Sequence, residues 1–267
     1  MQRRVLAAES VTELGDEVRG AVLVAGSHGG LIACYLGASA GAHALILNDA
    51  GVGLDGAGVA GLVQLDAIGM AAATVSHLTA LIGDGRDSLA RGVISHVNAA
   101  AANAGARVGM TARDAASLLC LAPPAHSKPR SYIDGRWKLG TQRVAEVWAL
   151  DSVGKLVPED AGRILLIGSH GALHGGRPQS ALDLGGHAVA AHAVAFNDAG
   201  VGADGAGISR LPELDRRGIA AVTVSHASAR IGDGRSMHDA LITHVNAMAA
   251  TTGARAGNRL RAWIAGL

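Results

Sequence analysis

The chain has 267 residues, of which 49% are hydrophobic and only 2% aromatic, with 38 glycines and a formal net charge of +1. That length is enough for one large or two small domains. The core has to come from Ala, Val, Leu and Ile, and near-zero charge without a Lys/Arg run or interleaved aromatic and basic residues excludes an electrostatic nucleic-acid surface.

Cys34 and Cys120 have neither CxxC nor metal-ligand spacing, which is the usage of a reduced compartment, so a cytoplasmic location is expected. Met1-Gln2-Arg3-Arg4-Val5 lacks the apolar stretch and cleavage site of a signal peptide. Residues 20–48 carry no Asp, Glu, Lys or Arg. Gly26-Ser27-His28-Gly29-Gly30 nevertheless splits that stretch into two short apolar runs, so no membrane partner is expected.

In chain order, residues 4–11 read as an edge strand and 21–25 as a buried strand. Residues 30–40 suit a helix of small residues, and 43–47 a second buried strand. Residues 57–69 place Val59, Leu62, Val63 and Leu65 near helical spacing, and Gly69 stops the helix. Residues 71–75 are a third strand, and 87–104 read as a helix with Leu89, Val93, Ile94 and Val97 on one face. Residues 111–122 read as helical, Pro123-Pro124 and Pro129 break the chain, and Tyr132–Leu139 suits a strand or hairpin.

The pattern then repeats. Asn48-Asp49-Ala50-Gly51-Val52-Gly53-Leu54-Asp55-Gly56-Ala57-Gly58 returns at residues 197–207 with Ala203 for Leu54 as the sole change. Gly26-Ser27-His28-Gly29 returns as Gly168-Ser169-His170-Gly171, and Ser76-His77 as Ser225-His226. Gly83-Asp84-Gly85-Arg86 returns as Gly232-Asp233-Gly234-Arg235. The expected fold is therefore α/β: a three-layer αβα arrangement around a mostly parallel sheet, made of two tandem units related by a pseudo-twofold axis. The units span 1–107 and 145–267, joined by a connector at 108–144 carrying a helix and a strand or hairpin.

Ligands of parallel α/β sheets bind beyond the carboxyl ends of the strands. All three shared motifs fall there. The expected catalytic residues are Ser169, His226 and Asp198, with Ser27, His77 and Asp49 as the first copy's counterparts. The histidine would be the base, the aspartate its orienting partner, and the serine a nucleophile or oxyanion donor. Around them, Gly168, His170, Gly171, Asn197, Gly200, Asp204, Ser225, Arg230, Asp233 and Arg235 are expected to contact substrate, as are His28, Asn48, Asp55 and Arg86. Each motif also has a plain structural reading. The serines cap helices, the aspartates close Asx turns, and Asp84 and Asp233 pair with the nearby arginines. His43 and His192 begin strands at the opposite edge and are assigned to structure, and His96 and His244 to a helix face.

The second copy carries an insertion with His174, Gly175, Gly176 and Arg177, and has Arg210 and Arg230 where the first has Gly61 and Leu81. Its site is expected to be the more cationic, fitting an anionic substrate. No cofactor is expected. A divalent metal would need His28, Asp49, His77 and Asp84 to converge, and no metal-binding spacing connects them.

These residues support two function classes. One is a small-molecule enzyme, first a hydrolase of a small polar amide, ester or lactone with an anionic group, then a lyase or isomerase using the same His and Asp. The other is a non-catalytic binding protein for an anionic metabolite or nucleotide. A homo-oligomer is compatible with either.

Overall fold

The computed structural model describes residues 3–133, 135–184 and 187–267. It is mixed α/β, with two mostly parallel sheets of five and six strands. The chain forms two compact units. Unit 1 comprises Met1–Val52, Gly56–Ile133 and Gly202–Asp204, and unit 2 comprises Gly53–Asp55, Asp134–Val201 and Gly205–Leu267. Asp134, within the expected Tyr132–Leu139 element, lies outside the described residues. Among the described residues no helix is long and apolar enough to cross a membrane.

In unit 1, β1 (Val5–Ala8), β2 (Val22–His28), α1 (Leu31–Ser39), β3 (Ala44–Asn48), α2 (Gly61–Asp66) and β4 (Ala72–Val75) alternate as the apolar runs predict. α3 (Gly85–Arg91), β5 (Ile94–Val97), α4 (Ala99–Asn103) and α5 (Ala112–Leu119) follow. The sheet order is β1-β2-β3-β4-β5, parallel from β1 to β4, with β5 antiparallel to β4. β2, β3 and β4 are buried throughout, so both faces of the sheet need cover. Leu23, Leu45 and Leu47 pack with Ala33, Cys34 and Leu65 of α1 and α2 on one face. Val22, Val24 and Ile46 pack with Ala101, Ala112, Ala116 and Leu119 of α4 and α5 on the other. Each such Leu or Ile contributes roughly 1.5–3 kcal/mol by leaving water.

The expected helix over 87–104 is overturned. Gly92 ends α3, and Asn98 begins α4 by accepting from Ala101 N–H at 2.9 Å. Between them Ile94–Val97 is an antiparallel strand, so His96 is a strand residue, as is His244 on β13 (Ile242–Val245) of unit 2. The apolar spacing that looked helical crosses elements: Leu89 lies on α3, Val93 forms a β-bridge with Thr111, and Ile94 and Val97 lie on β5. Asn98 fixes the junction, with its amide oxygen accepting from Ala72 N–H and its amide nitrogen donating to Met70 O.

The expected connector is divided. α5 packs in the unit 1 core, whereas β6 (Arg136–Thr141) pairs antiparallel with β7 (Glu146–Leu150) in unit 2. Beyond them run β8 (Ile164–His170), a short antiparallel ladder of β9 (Asp183–Leu184) and β10 (His187–Ala188), β11 (Ala193–Asn197), α6 (Arg210–Arg216), β12 (Ala220–Val224), β13, α7 (Ala247–Thr251) and α8 (Leu260–Ile264). The unit 2 sheet order is β13-β12-β11-β8-β7-β6. Phe196, Leu211 and Leu214 lie in the core on one face, and Val222, Leu260 and Trp263 in the core on the other.

Candidate active site

The site in each unit starts from two neighbouring parallel strands. In unit 1, β3 and β4 run in register, Asn48 opposite Val75. The residues that follow, Asp49 and Ser76-His77, therefore emerge side by side at the carboxyl edge. Asp49 Oδ1 accepts from the His77 backbone N–H at 2.9 Å and from the His77 ring Nδ1–H at 2.8 Å. It also accepts from Gly51 N–H at 3.1 Å. In unit 2, Asp198 Oδ1 accepts from His226 N–H at 2.9 Å, His226 Nδ1–H at 3.0 Å and Gly200 N–H at 3.0 Å. A carboxylate can only accept, so each ring carries its proton on Nδ1 and presents the Nε2 lone pair. The aspartate side chains are 5% and 4% exposed and the histidines 19% and 30%, so the acid is buried and the base reachable.

Burial alone would raise the Asp49 carboxyl. Hydrogen bonds from the His77 ring and backbone, the Ser95 hydroxyl and Gly51 outweigh it and hold the group below its ordinary value. Asp198 is held down in the same way, against burial, by the His226 ring and backbone and by Gly200. The bond to Asp198 in turn raises the His226 ring above its ordinary value, against the opposing effect of burial.

The loop after each aspartate is wound into backbone space that L-residues avoid. Ala50 and Val52 have φ of 49° and 63°, and Ala199 and Val201 have 48° and 63°. A β-branched residue in this region is strained. The Asn-Asp pair explains how the loop persists. Asn48 Oδ1 accepts from Ala50 N–H at 2.9 Å while its amide donates to Ala80 O, and Asn197 does the same with Ala199 and Ala229. Gly58 closes the turn, since a Cβ there would lie 2.2 Å from Asp49 O. Asp55 and Asp204 have φ of 55° and 52° and form ion pairs. Within unit 2, Arg230 Nε donates to Asp55 Oδ2 at 2.8 Å, and within unit 1, Arg91 Nη2 donates to Asp204 Oδ2 at 2.7 Å.

The serines stand apart from the histidines. Ser27 lies inside β2, where the pairing with β3 shifts register between Val24 and His28. Its Oγ accepts from Val11 N–H at 3.0 Å, and Ser169 Oγ accepts from Val153 N–H at 2.9 Å. Among the described residues no hydrogen bond joins either serine to His77 or His226. His28 is buried and accepts from Gly30 N–H through Nδ1 at 3.1 Å, and burial lowers its pKa to about 4. His170 Nδ1 accepts from Ala172 N–H at 3.3 Å. Gly168 and Gly171 give close packing: a Cβ on Gly168 would lie 2.7 Å from Asp233 N, and one on Gly171 2.5 Å from Gly207 O.

The remaining expected contacts are turn and cap residues. Ser225 Oγ accepts from Ala227 N–H at 3.2 Å. Asp84 Oδ1 caps α3 through Asp87 N–H, and Asp233 Oδ1 accepts from Arg235 and Ser236 N–H. The Arg235 guanidinium lies 4.1 Å over the Trp137 ring, whereas Arg86 makes no ion pair among the described residues. Arg210 is fully buried: it donates to the carbonyls of Ala172, Ser180 and Ala181, contacts His174 Nε2 at 3.3 Å and stacks on Phe196. It braces the inserted segment and adds no exposed charge. His43 meets Ala122 O through Nε2 at 3.1 Å, a tie between unit 1 elements.

Two participants were not visible in the sequence as such. Arg91 occupies in unit 1 the role that Arg230 has in unit 2. Ser95 links Asp49 to His96, whose Nδ1 lies 3.1 Å from Ser95 Oγ and which lines a cavity of about 260 Å³ with Val59, Leu62 and Val63. The short Val93-Ile94-Ser95-His96-Val97 run, rich in β-branched residues and bounded by Gly92 and Asn98, was the signal that could have placed Ser95 on a strand. Among the described residues no group of three or more His, Cys, Asp or Glu side chains could hold a metal ion. No protein-family model, curated protein or solved structure matches the chain.

Proposed function

We propose that the chain is a small-molecule enzyme whose histidine–aspartate pairs act as general bases, hydrolysing a small polar ester, amide or lactone with water as the nucleophile. The observation that carries this reading is the pair of hydrogen bonds that one histidine, through its ring and its backbone, donates to a single buried carboxylate oxygen. Such a pair fixes the tautomer and orientation of a base and stabilises the imidazolium it becomes. In the proposed step, Nε2 takes a proton from water as the oxygen attacks the carbonyl carbon. The histidine then returns that proton to the leaving oxygen or nitrogen.

Water replaces the serine as nucleophile because each serine oxygen serves a backbone N–H of its own unit. The anionic-substrate expectation is reduced to a polar one, because Arg230 already engages Asp55 and Asp233. We read the two sites as tandem copies of one ancestral unit. The repeated motifs support this, as does the recurrence of each aspartate, asparagine and loop hydrogen bond at matching positions.

The test is a panel of small esters, amides and lactones assayed with the wild-type chain and with the His77→Gln/His226→Gln double variant, beside ¹⁵N NMR of the histidine rings. The wild-type chain should hydrolyse a member of the panel, about 10²–10⁴-fold faster than the double variant, and both rings should carry their neutral-state proton on Nδ1. A rate that survives the double substitution, or neutral rings protonated on Nε2, would refute the proposal.

A further inference from the structure

A polar concavity of unit 1 lies away from the histidine–aspartate pair. Arg19 precedes β2 and Gly41 precedes β3, so both stand at the amino ends of strands whose carboxyl ends carry the candidate site. Gly20 N–H donates to Gly41 O at 2.9 Å, tying the two turns together. α1 contributes Tyr35 and Ser39, and the stretch after α5 contributes Lys128 and Ser131. Together they line a cavity of about 440 Å³.

We propose that this cavity binds a small organic phosphate. Its lining holds two cations, Arg19 and Lys128, and no carboxylate. Three hydroxyls, those of Tyr35, Ser39 and Ser131, accompany them. Among the described residues, these hydroxyls and the Lys128 ammonium have no hydrogen-bond partner, so their donors are available to a ligand. Arg19 is engaged by Asp16 through Nε alone, at 3.1 Å between side chains that are 70% and 94% exposed. A solvated pair of that kind contributes little and leaves the rest of the guanidinium fork available.

Two cations answer a phosphate dianion, and several donors answer its three terminal oxygens, more than a single carboxylate can accept from. The volume exceeds a bare phosphate and leaves room for an organic body against Ala38, Pro129 and the Tyr35 ring. None of these residues belongs to the histidine–aspartate site, so the two proposals stand or fall separately. The stretch after α5 thereby gains a role, since Lys128 and Ser131 are two of the five polar side chains of the lining.

The experiment is isothermal titration of the full chain with glycerol 3-phosphate and ribose 5-phosphate at low salt, with glycerol and ribose as neutral controls. It is repeated on Lys128→Gln, on Arg19→Gln/Lys128→Gln and on Tyr35→Phe. The expected result is saturable one-site binding of at least one phosphate, absent for the neutral parents. Affinity should fall about tenfold or more in the double variant and weaken with added salt. Arg19 and Lys128 are exposed, and an unchanged urea midpoint would show that the variants fold. Failure of both phosphates to bind beyond their neutral parents, or equal binding by the folded double variant, would overturn the proposal.

Discussion

Replacing Asp198 by Asn tests the physical basis of the site without requiring a known substrate. The carboxylate is almost fully buried, and its Oδ1 accepts three hydrogen bonds, from His226 N–H, His226 Nδ1–H and Gly200 N–H. An amide oxygen in the same place keeps the geometry but loses the charge. A hydrogen bond to a charged acceptor contributes about 1.5–3 kcal/mol against about 0.5–1.5 for a neutral one, so three bonds losing about 1 each give roughly 2–3 kcal/mol of lost stability. Strained Ala199 and Val201 follow directly, so part of that loss should appear as local opening of the loop. The pH dependence has a definite sign. Asp198 is depressed in the fold, so its contribution is present above the unfolded carboxylate value and disappears as pH falls through the lower folded value. His226 is raised, so its contribution is complete below 6.5 and is lost as pH climbs through the raised folded value. In Asp198→Asn both dependences vanish and the His226 ring titrates at lower pH than in the wild type. Urea unfolding from pH 3 to 9 and NMR titration of His226 read these effects. A stability change under about 0.5 kcal/mol at pH 6, together with an unmoved His226 titration, would refute the assignment of the pair as coupled.

Other substitutions probe the neighbouring features. His28→Gln should flatten the pH dependence of stability between 4 and 6.5. In the wild type the unfolded chain binds the extra proton there, so stability rises by about 3 kcal/mol in total as pH goes from 4 to 6.5; an unchanged urea profile across that range would contradict the buried neutral ring. Gly58→Ala should cost more than about 3 kcal/mol, because its Cβ would stand 2.2 Å from Asp49 O. Val52→Gly should raise stability by about 1 kcal/mol, the relief of left-handed strain exceeding the entropy that glycine adds to the unfolded chain; a loss measured by urea unfolding would show the valine unstrained. Ser27→Ala should leave the rate of any hydrolysis found within about threefold while lowering stability by about 1 kcal/mol, since Val11 N–H loses its acceptor; a collapse of the rate would restore the nucleophilic serine.

What the sequence disclosed was set by what is local. Apolar runs ending in Asn-Asp and Ser-His identified neighbouring parallel strands, and parallel register alone then brings Asp49 to His77. Glycines announced positive φ at Gly51, Gly53 and Gly56, but nothing in Ala50, Val52 or Asp55 does so. Those residues follow Asn48 and Asp49, whose side chains accept from the Ala50 and Gly51 N–H groups and are themselves held by Ala80 and His77. β5 was hidden because Leu89, Val93, Ile94 and Val97 meet a helical spacing across two different elements. The serines are placed differently from the sequence expectation for a related reason. Gly-Ser-His resembles a loop after a strand, yet β2 and β8 continue through it, and the N–H groups that Ser27 and Ser169 satisfy come from segments 16 residues away in sequence. The arginine asymmetry looked like a difference in site charge, whereas Arg91 and Arg230 supply one ion pair to each unit from different positions.

The same carboxylate oxygen that orients each histidine also holds the first turn of the strained loop, through Gly51 N–H in one unit and Gly200 N–H in the other. Ring orientation and loop folding therefore share an atom. A loss of rate in an aspartate variant cannot be credited to the base alone, because the loop backbone near the ring would shift as well. The histidine side separates the two effects. Replacing His226 by Gln removes the ring but keeps the backbone N–H to Asp198 and the Gly200 bond, so the loop retains two of its three ties. If the pair is a catalytic base, His226→Gln should lose rate with little loss of loop protection from hydrogen exchange, whereas Asp198→Asn should lose both. If the pair only braces the loop, rate and protection should fall together in each variant. That contrast rests on the two different donors that one histidine places on one oxygen.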